Sequence, residues 1–174
     1  VWGREVLSQP AAIKTATDWA RENGVVAFFD AGDVQANGFQ AVEDTTSGQT
    51  FTDTGASYMG FAVSALLASA MAENGTYSIA FTGDGSFMMN PQILLDGVQH
   101  QVKGMIALFD NRRMAAISGL QNAQYGQDFA TDDAVDVVDH TPDGVVAIPR
   151  TPRAVKPGII QVVDRTLRSD APRL

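Results

Sequence analysis

Two polar side chains that could hold a metal stand directly after two apolar segments of the sequence. Asp84 follows the strand predicted at residues 77–82, and Asn111 follows the strand predicted at residues 105–109. One strand-loop-helix-strand unit separates them, and its right-handed crossover makes the two strands parallel and brings both side chains to one edge. Carboxylate, amide and backbone carbonyl oxygens suit Mg²⁺ or Ca²⁺, with a phosphate completing the shell. The pair therefore predicts a metal and phosphate site at the carboxyl edge of a parallel sheet.

The residues around Asp84 strengthen the phosphate part of this prediction. Gly83 and Gly85 let the backbone turn sharply and bring its amides close to an anion. Ser86 adds a hydroxyl group, and the helix predicted to start at Asn90-Pro91 adds a modest positive field.

The elements that must position these residues alternate between helices and strands along the chain. Helices are predicted at residues 8–24, 59–73 and 91–103, strands at 25–30, 77–82, 105–109, 145–148 and 159–163, and a loop at 31–38. This alternation is typical of an α/β fold with a doubly wound, mainly parallel sheet and helices on both faces. The length predicts a single domain over residues 1–174, in which residues 149–157 form a basic connection.

The composition excludes several classes of protein. With no cysteine, the chain has no disulfide scaffold, thiolate metal site or cysteine nucleophile. A net charge of −8 argues against a nucleic-acid or anionic-membrane surface. The longest apolar stretch, residues 59–72, is too short to span a bilayer, and no signal pattern is seen, so we expect a cytoplasmic protein.

The motif GDGS at residues 83–86, followed by a helix and by Asp110-Asn111, resembles the GDG…NN signature of thiamine-diphosphate enzymes. The resemblance implies that Asp84, Asn111 and the backbone carbonyl of Arg113 hold the Mg²⁺ that clamps the cofactor's diphosphate. Asp110 replaces the first asparagine of the signature, so only the second, ligating position is retained. The resemblance also implies cofactor contacts from Gly83, Gly85, Ser86, Asn111, Arg113, Met114 and Ala115.

Two upstream segments resemble the same family in the same order. "TGASYMGFAVSALLASAM", residues 54–71, is similar to a segment of the acetolactate synthase group in which a methionine wedges under the cofactor. The similarity implies that this wedge is Met59 and that the backbone of Ser57 and Met59 holds the aminopyrimidine edge.

"AGDVQANGF", residues 31–39, occupies the place of the group's first diphosphate loop. This implies contacts from Gly32, Asp33, Val34 and Gln35. Because a carboxylate repels a diphosphate, we expect Gln35 and the backbone amides to contribute more than the Asp33 side chain.

Plainer interpretations exist for each of these residues. Asp-Gly is a common turn, and a methionine near the start of an apolar helix usually belongs to the core. A dinucleotide site would need G-x-G-x-x-G opening a helix after the first strand, and "AGDVQANG" does not supply it. Arg112 and Arg113 could be a solvated pair or could reach an anion, His100 fits a surface or packing role, and His140 fits a polar loop.

The resemblance also indicates what this sequence lacks. In the family, the glutamate that activates the cofactor belongs to a separate pyrimidine-binding domain, and nothing in this chain resembles that domain. We therefore expect a diphosphate-binding half that needs a pyrimidine-domain subunit, or a missing N-terminal part of the same polypeptide, within an oligomer.

The segment "LFDNRRMAAISGLQNAQYG", residues 108–126, resembles the ring-opening diketone hydrolases of inositol and cyclohexanedione breakdown. Simple 2-oxoacid decarboxylases often carry a carboxylate where this chain has Ile117. The resemblance thus favours cleavage or formation of a C–C bond next to a carbonyl, with a 2-oxo acid or 1,2-diketone as substrate. A 2-oxoacid decarboxylase subunit and a non-catalytic, cofactor-binding or regulatory subunit remain as alternatives.

Overall fold

The computed structural model describes residues 8–111, 113–131, 145–148 and 158–162. The predictions for Arg112, His140 and the connection at residues 149–157 lie outside these residues. None of the helices in the described ranges is long and apolar enough to cross a membrane.

Helices and strands alternate through the described chain. The helices are α1 (Gln9–Glu22), α2 (Asp33–Ala41), α3 (Phe61–Met71), α4 (Asp84–Phe87), α5 (Ile93–Gln99) and α6 (Ala115–Tyr125). The strands are β1 (Val26–Phe29), β2 (Thr50–Thr52), β3 (Ser78–Gly83), β4 (Gly104–Phe109), β5 (Val145–Ile148) and β6 (Gly158–Val162).

The strands form one sheet in the order β2-β1-β3-β4-β6-β5. All neighbours pair in parallel except β5, which runs antiparallel to β6. After β1 the chain first adds β2 on one side and then returns to place β3 on the other, so strand order reverses between β1 and β3. Such a reversal opens a crevice at the carboxyl ends of the strands, where ligands of α/β proteins bind.

A core packs against each face of the sheet, which confirms the doubly wound α/β prediction. Side chains of α1 and α2 cover one face, where the Phe29 and Phe81 rings stack with centroids 4.6 Å apart. Side chains of α3 and α5 cover the other face around Phe28, Ala80 and Ile106. The inner strands are buried on both faces, which explains their continuous apolar sequences.

The loop prediction for residues 31–38 is wrong, because α2 begins at Asp33 and continues through Asn37-Gly38. Gly38 does not break the helix here. A Cβ at this position would lie 2.5 Å from the Phe29 ring, so the glycine lets α2 approach β1 closely.

Other differences concern where helices begin and end. The helix predicted at residues 91–103 covers only Ile93–Gln99, after turns at 90–92, and His100 is its exposed C-cap. The helix predicted at residues 59–73 is shortened to Phe61–Met71, and helix α6 at Ala115–Tyr125 was not predicted.

Candidate functional site

A cavity of about 260 Å³ opens at the carboxyl ends of β1, β3 and β4, next to the reversal of strand order. Nearly all predicted site residues line it. These are Gly32, Asp33, Val34, Ser57, Met59, Gly83, Asp84, Gly85, Ser86, Asn111, Arg113, Met114 and Ala115. The sequence did not predict the further lining residues Gln9, Ala31, Phe109 and Ala116, whereas Ile117, compared above with the carboxylate position of decarboxylases, also lies at the cavity.

Asp84 lies at the start of the short helix α4, which begins as soon as β3 ends. Its side chain is buried, with 4% of its surface exposed, and Oδ1 accepts a hydrogen bond from the Gly85 N–H at 3.0 Å. A buried carboxylate at a cavity wall needs compensating positive charge or hydrogen bonds, and a bound cation supplies the former.

Asn111 and Arg113 form a tight turn after β4. The Asn111 Oδ1 accepts the Arg113 N–H at 2.9 Å, and the Arg113 carbonyl accepts the Ala115 N–H at 2.9 Å. Both oxygens therefore lie in one turn beside the cavity, and an amide or carbonyl oxygen can bond to more than one partner. The Arg113 guanidinium forms an ion pair with Asp128, so part of its charge is directed toward that carboxylate.

Two longer helices begin at the cavity wall. Gly32, with φ of 86°, precedes α2, and Met114 precedes α6. The first N–H groups of a helix have no intrahelical acceptor, and they carry the positive end of its dipole. Two such ends at one cavity, with Gly83 and Gly85 between them, form a suitable environment for a phosphate.

Gln35 is the predicted contact that does not line the cavity. Its amide donates to the Thr52 hydroxyl at 2.6 Å and to the Asp53 carbonyl at 3.1 Å, and its oxygen accepts from the Ser57 hydroxyl at 3.0 Å. The side chain thus holds the loop that carries Ser57.

Asp30 is a buried carboxylate near the site that the sequence motifs did not mark. It follows β1 as Asp84 follows β3, and this shared strand-end position was the available signal. Its side chain is fully buried, and burial raises its pKa above the usual value, opposed by hydrogen bonds from Thr82, Gly60, Ala31 and Ala62.

The donor set fits a diphosphate held through a divalent cation. Two carboxylates, Asp33 and Asp84, line the cavity, and an anion placed between them without a cation would be repelled. Among the described residues, no group of three or more His, Cys, Asp or Glu side chains could hold a metal. The predicted set is of another kind, with one carboxylate, one amide and one backbone carbonyl, and such a set fits Mg²⁺ that keeps phosphate and water ligands.

Known proteins resemble part of this chain. A 3D-(3,5/4)-trihydroxycyclohexane-1,2-dione hydrolase of Lacticaseibacillus casei is 40% identical over 78 residues, 45% of this chain and 12% of the relative. The hydrolase of the same name from Bacillus subtilis is 28% identical over 131 residues, 73% of this chain and 20% of the relative. The acetolactate synthase isozyme 2 large subunit of Escherichia coli is 29% identical over 113 residues, 65% of this chain and 20% of the relative. The matches thus span a fifth or less of these relatives.

The family model described as "Thiamine pyrophosphate enzyme, C-terminal TPP binding domain" matches residues 30–148, more than half of the chain. The match runs from the end of β1 through β5, so it includes the strand ends and helix starts that form the cavity. This confirms the resemblance inferred from the sequence motifs, and the chain belongs to the thiamine pyrophosphate enzyme family as a C-terminal TPP-binding domain.

Proposed function

We propose that this chain is the diphosphate- and Mg²⁺-binding part of an enzyme that cleaves or forms a C–C bond next to a carbonyl. The observation that carries the proposal is the convergence of Asp84, Asn111 and the first turns of α2 and α6 on one cavity. Oxygen ligands and orphan helix amides meet there, as a metal-bound diphosphate requires.

Each group at the cavity has a proposed task. Asp84, Asn111 and the Arg113 carbonyl hold Mg²⁺, whose charge offsets both the diphosphate and Asp33. The N–H groups of Gly32–Val34, Gly83 and Ser86 receive the remaining phosphate oxygens, while Ser57 and Met59 contact the ring system. Gly85, Met114 and Ala115 line the same cavity, but their N–H groups donate to Asp84 Oδ1 and to the Thr131 and Arg113 carbonyls, so they contact the cofactor by other atoms. When bound, thiamine diphosphate supplies the electron sink that stabilises negative charge at the carbonyl carbon while the adjacent bond breaks or forms.

The cavity also bears on the choice of substrate. Ile117 lies on its wall with 43% of its surface exposed, where a decarboxylase would use a carboxylate. An apolar side chain cannot relay a proton, and this favours a lyase, transferase or hydrolase acting on a 2-oxo acid or 1,2-diketone. The names of the relatives, an acetolactate synthase and two cyclohexane-1,2-dione hydrolases, agree with these two substrate classes.

We further propose that the activating carboxylate comes from a pyrimidine-binding domain outside this sequence, on a separate subunit or on the same longer polypeptide. The matched region spans 12–20% of the relatives, which leaves room in those proteins for further domains. The active unit would then be an oligomer in which the cofactor lies between domains.

The metal assignment is tested by replacing its carboxylate. Asp84→Ala should lower Mg²⁺-dependent affinity for thiamine diphosphate by at least about 100-fold. Even the loss of a residue that only hydrogen-bonds to a metal ligand typically lowers metal affinity by about 10–100-fold. Asn111→Ala should cost less, because it removes a neutral ligand. Calorimetric titration of the assembled protein, with and without Mg²⁺, measures both effects.

Asp33→Asn is the matched control, because it removes a carboxylate from the same cavity without removing a proposed metal ligand. Its affinity should equal or exceed that of the unmodified protein, since one repulsive charge is gone. Unchanged affinity in Asp84→Ala, or an equal loss in Asp33→Asn, would refute the proposed metal site.

A further inference from the structure

The buried carboxylate of Asp30 connects the two sides of the crevice. It lies just beyond β1 with 0% of its surface exposed. Oδ1 accepts the Gly60 N–H at 2.8 Å and the Ala31 N–H at 3.0 Å, and Oδ2 accepts the Thr82 hydroxyl at 2.8 Å. One side chain thus binds the loop before α3 and the end of β3 at the same time.

Gly60 is held at a backbone geometry that few other residues could adopt. Its φ is +93°, and a Cβ there would lie 3.2 Å from the Cβ of Met89. On its other side, its carbonyl accepts the Ser64 hydroxyl at 2.8 Å, and the Asn90 amide donates to that hydroxyl at 2.9 Å. The peptide groups on both sides of Gly60 are therefore hydrogen-bonded, its N–H to Asp30 and its carbonyl to the Ser64 hydroxyl.

The neighbours of the two bonded groups are site residues. Met59 directly precedes Gly60, and Thr82 directly precedes Gly83 and Asp84. All three of Met59, Gly83 and Asp84 line the cavity. Asp30 itself does not line the cavity, so it reaches the site only through these neighbours.

Burial makes this carboxylate costly, because a buried charge or an unpaired buried polar group destabilises a fold. The cost is reduced here by four hydrogen-bond donors, the Thr82 hydroxyl and the N–H groups of Ala31, Gly60 and Ala62, the last of which lies in the first turn of α3. An apolar side chain would avoid the cost but could not bind both loops.

We propose that Asp30 is a positioning residue that fixes Gly60 and Thr82 relative to each other and so holds Met59 and Asp84 in place before the cofactor binds. The proposal rests on the proposed function, in which Met59 and Asp84 contact thiamine diphosphate and its metal. Pre-ordering of this kind raises affinity because less conformational entropy is lost on binding.

The first test uses no cofactor. Amide hydrogen exchange at Gly60, read at single-residue resolution by mass spectrometry on the full chain in its native assembly, reports whether the loop is held. Asp30→Ala should speed exchange at Gly60 by at least about 10-fold relative to the β3 amides, because loops open locally once their bonds are lost. Asp30→Asn keeps an acceptor oxygen for Gly60 and should keep the protection.

Thr17→Val is the matched control for a general loss of stability. Thr17 is buried in α1 and donates to the Ile13 carbonyl at 2.9 Å, so its loss removes a buried hydrogen bond away from the Met59 loop. In Thr17→Val, the rate of hydrogen exchange at Gly60 should stay within about 2-fold of the rate in the unmodified protein, when the two proteins are compared under conditions of equal global stability.

The second test measures Mg²⁺-dependent affinity for thiamine diphosphate. We expect a loss of affinity of at least about 10-fold in Asp30→Ala and of less than about 3-fold in Asp30→Asn.

Unchanged Gly60 exchange in Asp30→Ala, or the same change in Thr17→Val, would overturn the positioning role. If Asp30→Ala does not fold, Asp30→Ser takes its place, because its side chain is too short to reach the Gly60 N–H, and unchanged Gly60 protection in that variant would overturn the positioning role. An unmodified protein that binds no thiamine diphosphate would instead refute the proposed function and leave the exchange result standing.

Discussion

Three strands of this sheet end in an aspartate, and each carboxylate has different surroundings. Asp30 follows β1 and is fully buried among hydrogen-bond donors, whereas Asp84 follows β3 and lines the cavity. Asp110 follows β4 and is also buried, next to the turn that carries Asn111. The same residue type at the same place in the βα unit is therefore found among hydrogen-bond donors in one case and at the cavity wall in another.

Met59 offers a second test at the residue scale. Met59→Ala in the assembled enzyme should leave affinity for thiamine diphosphate within about 3-fold, because the metal and helix amides hold the diphosphate. It should lower kcat by about 10²-fold, the typical cost of a displacement of about 1 Å at a reacting centre. Calorimetry and steady-state kinetics separate the two quantities.

Met59→Leu is the control, because a hydrophobic replacement of similar volume is tolerated best. It should retain most of the kcat. If Met59→Ala also keeps its kcat, Met59 serves only as a packing residue.

At the scale of elements, two helical glycines differ in what surrounds them. Gly38→Ala would place a Cβ 2.5 Å from the Phe29 ring, which should lower the free energy of unfolding by about 1–3 kcal/mol through overpacking. Gly119→Ala in α6 would place a Cβ with no other atom within 4 Å. This change should raise the free energy of unfolding by about 0.5–1 kcal/mol, because alanine has the higher helix propensity. Urea denaturation of both variants gives the comparison. Stabilisation by both would show that α2 can move away from β1.

Strands β1, β3 and β4 were predictable because their sequences are apolar on both faces, as buried parallel strands require, whereas the short, partly exposed edge strand β2 (Thr50–Thr52) was not predicted. The bounds of β5 match the prediction, and those of β1, β3 and β4 differ from it by one residue at one or both ends. Helix α2 was not predictable in the same way, since Asn37-Gly38 is a strong turn signal. Only the contact of Gly38 with Phe29, which is separate in sequence, shows why a glycine belongs there.

The candidate site was predictable to the extent that motifs mark it. The residues after β1, β3 and β4 reach the cavity because parallel strands end at one edge. Gln35 was expected at the diphosphate, but its side chain holds Thr52, Asp53 and Ser57. Side-chain direction at a helix start depends on the facing loop, and a motif carries no information about that loop.

At the scale of the whole molecule, an apolar surface lies beside the Met59 loop. Met59 and Phe61 are half-buried, while Tyr58, Met88 and Met89 are exposed by 46–58%. We expect the proposed pyrimidine-binding domain to dock near Met59 and Phe61, and these exposed side chains would extend that surface.

The purified chain alone should therefore bind thiamine diphosphate weakly, turn over no substrate and self-associate. Without the activating carboxylate it also lacks general-base assistance, which is typically worth about 10²–10⁴-fold. Adding the pyrimidine-domain partner should restore affinity, monodispersity and activity together. An assay on 2-oxo acids and cyclic 1,2-diketones, with light scattering in parallel, measures this.

The control is the same complex with Asp84→Ala, which should be inactive if the measured activity depends on the metal-bound cofactor. Full activity from the rigorously purified single chain would contradict the half-enzyme proposal.

The strand order also determines when this domain can fold as it is synthesised. β1 pairs with β2 and β3, both of which lie later in the chain, and β3 alone joins β1 to β4. Until β3 has left the ribosome, Phe29 lacks the ring on which it stacks and Asp30 lacks the Thr82 hydroxyl. Parallel strands that are far apart in sequence pair slowly, because the entropy of closing the intervening loop is lost before the contacts between the strands can form. A nascent chain that ends before β3 therefore leaves one edge of the apolar strand β1 unpaired, and chaperone binding to this domain should be strongest over that interval of synthesis.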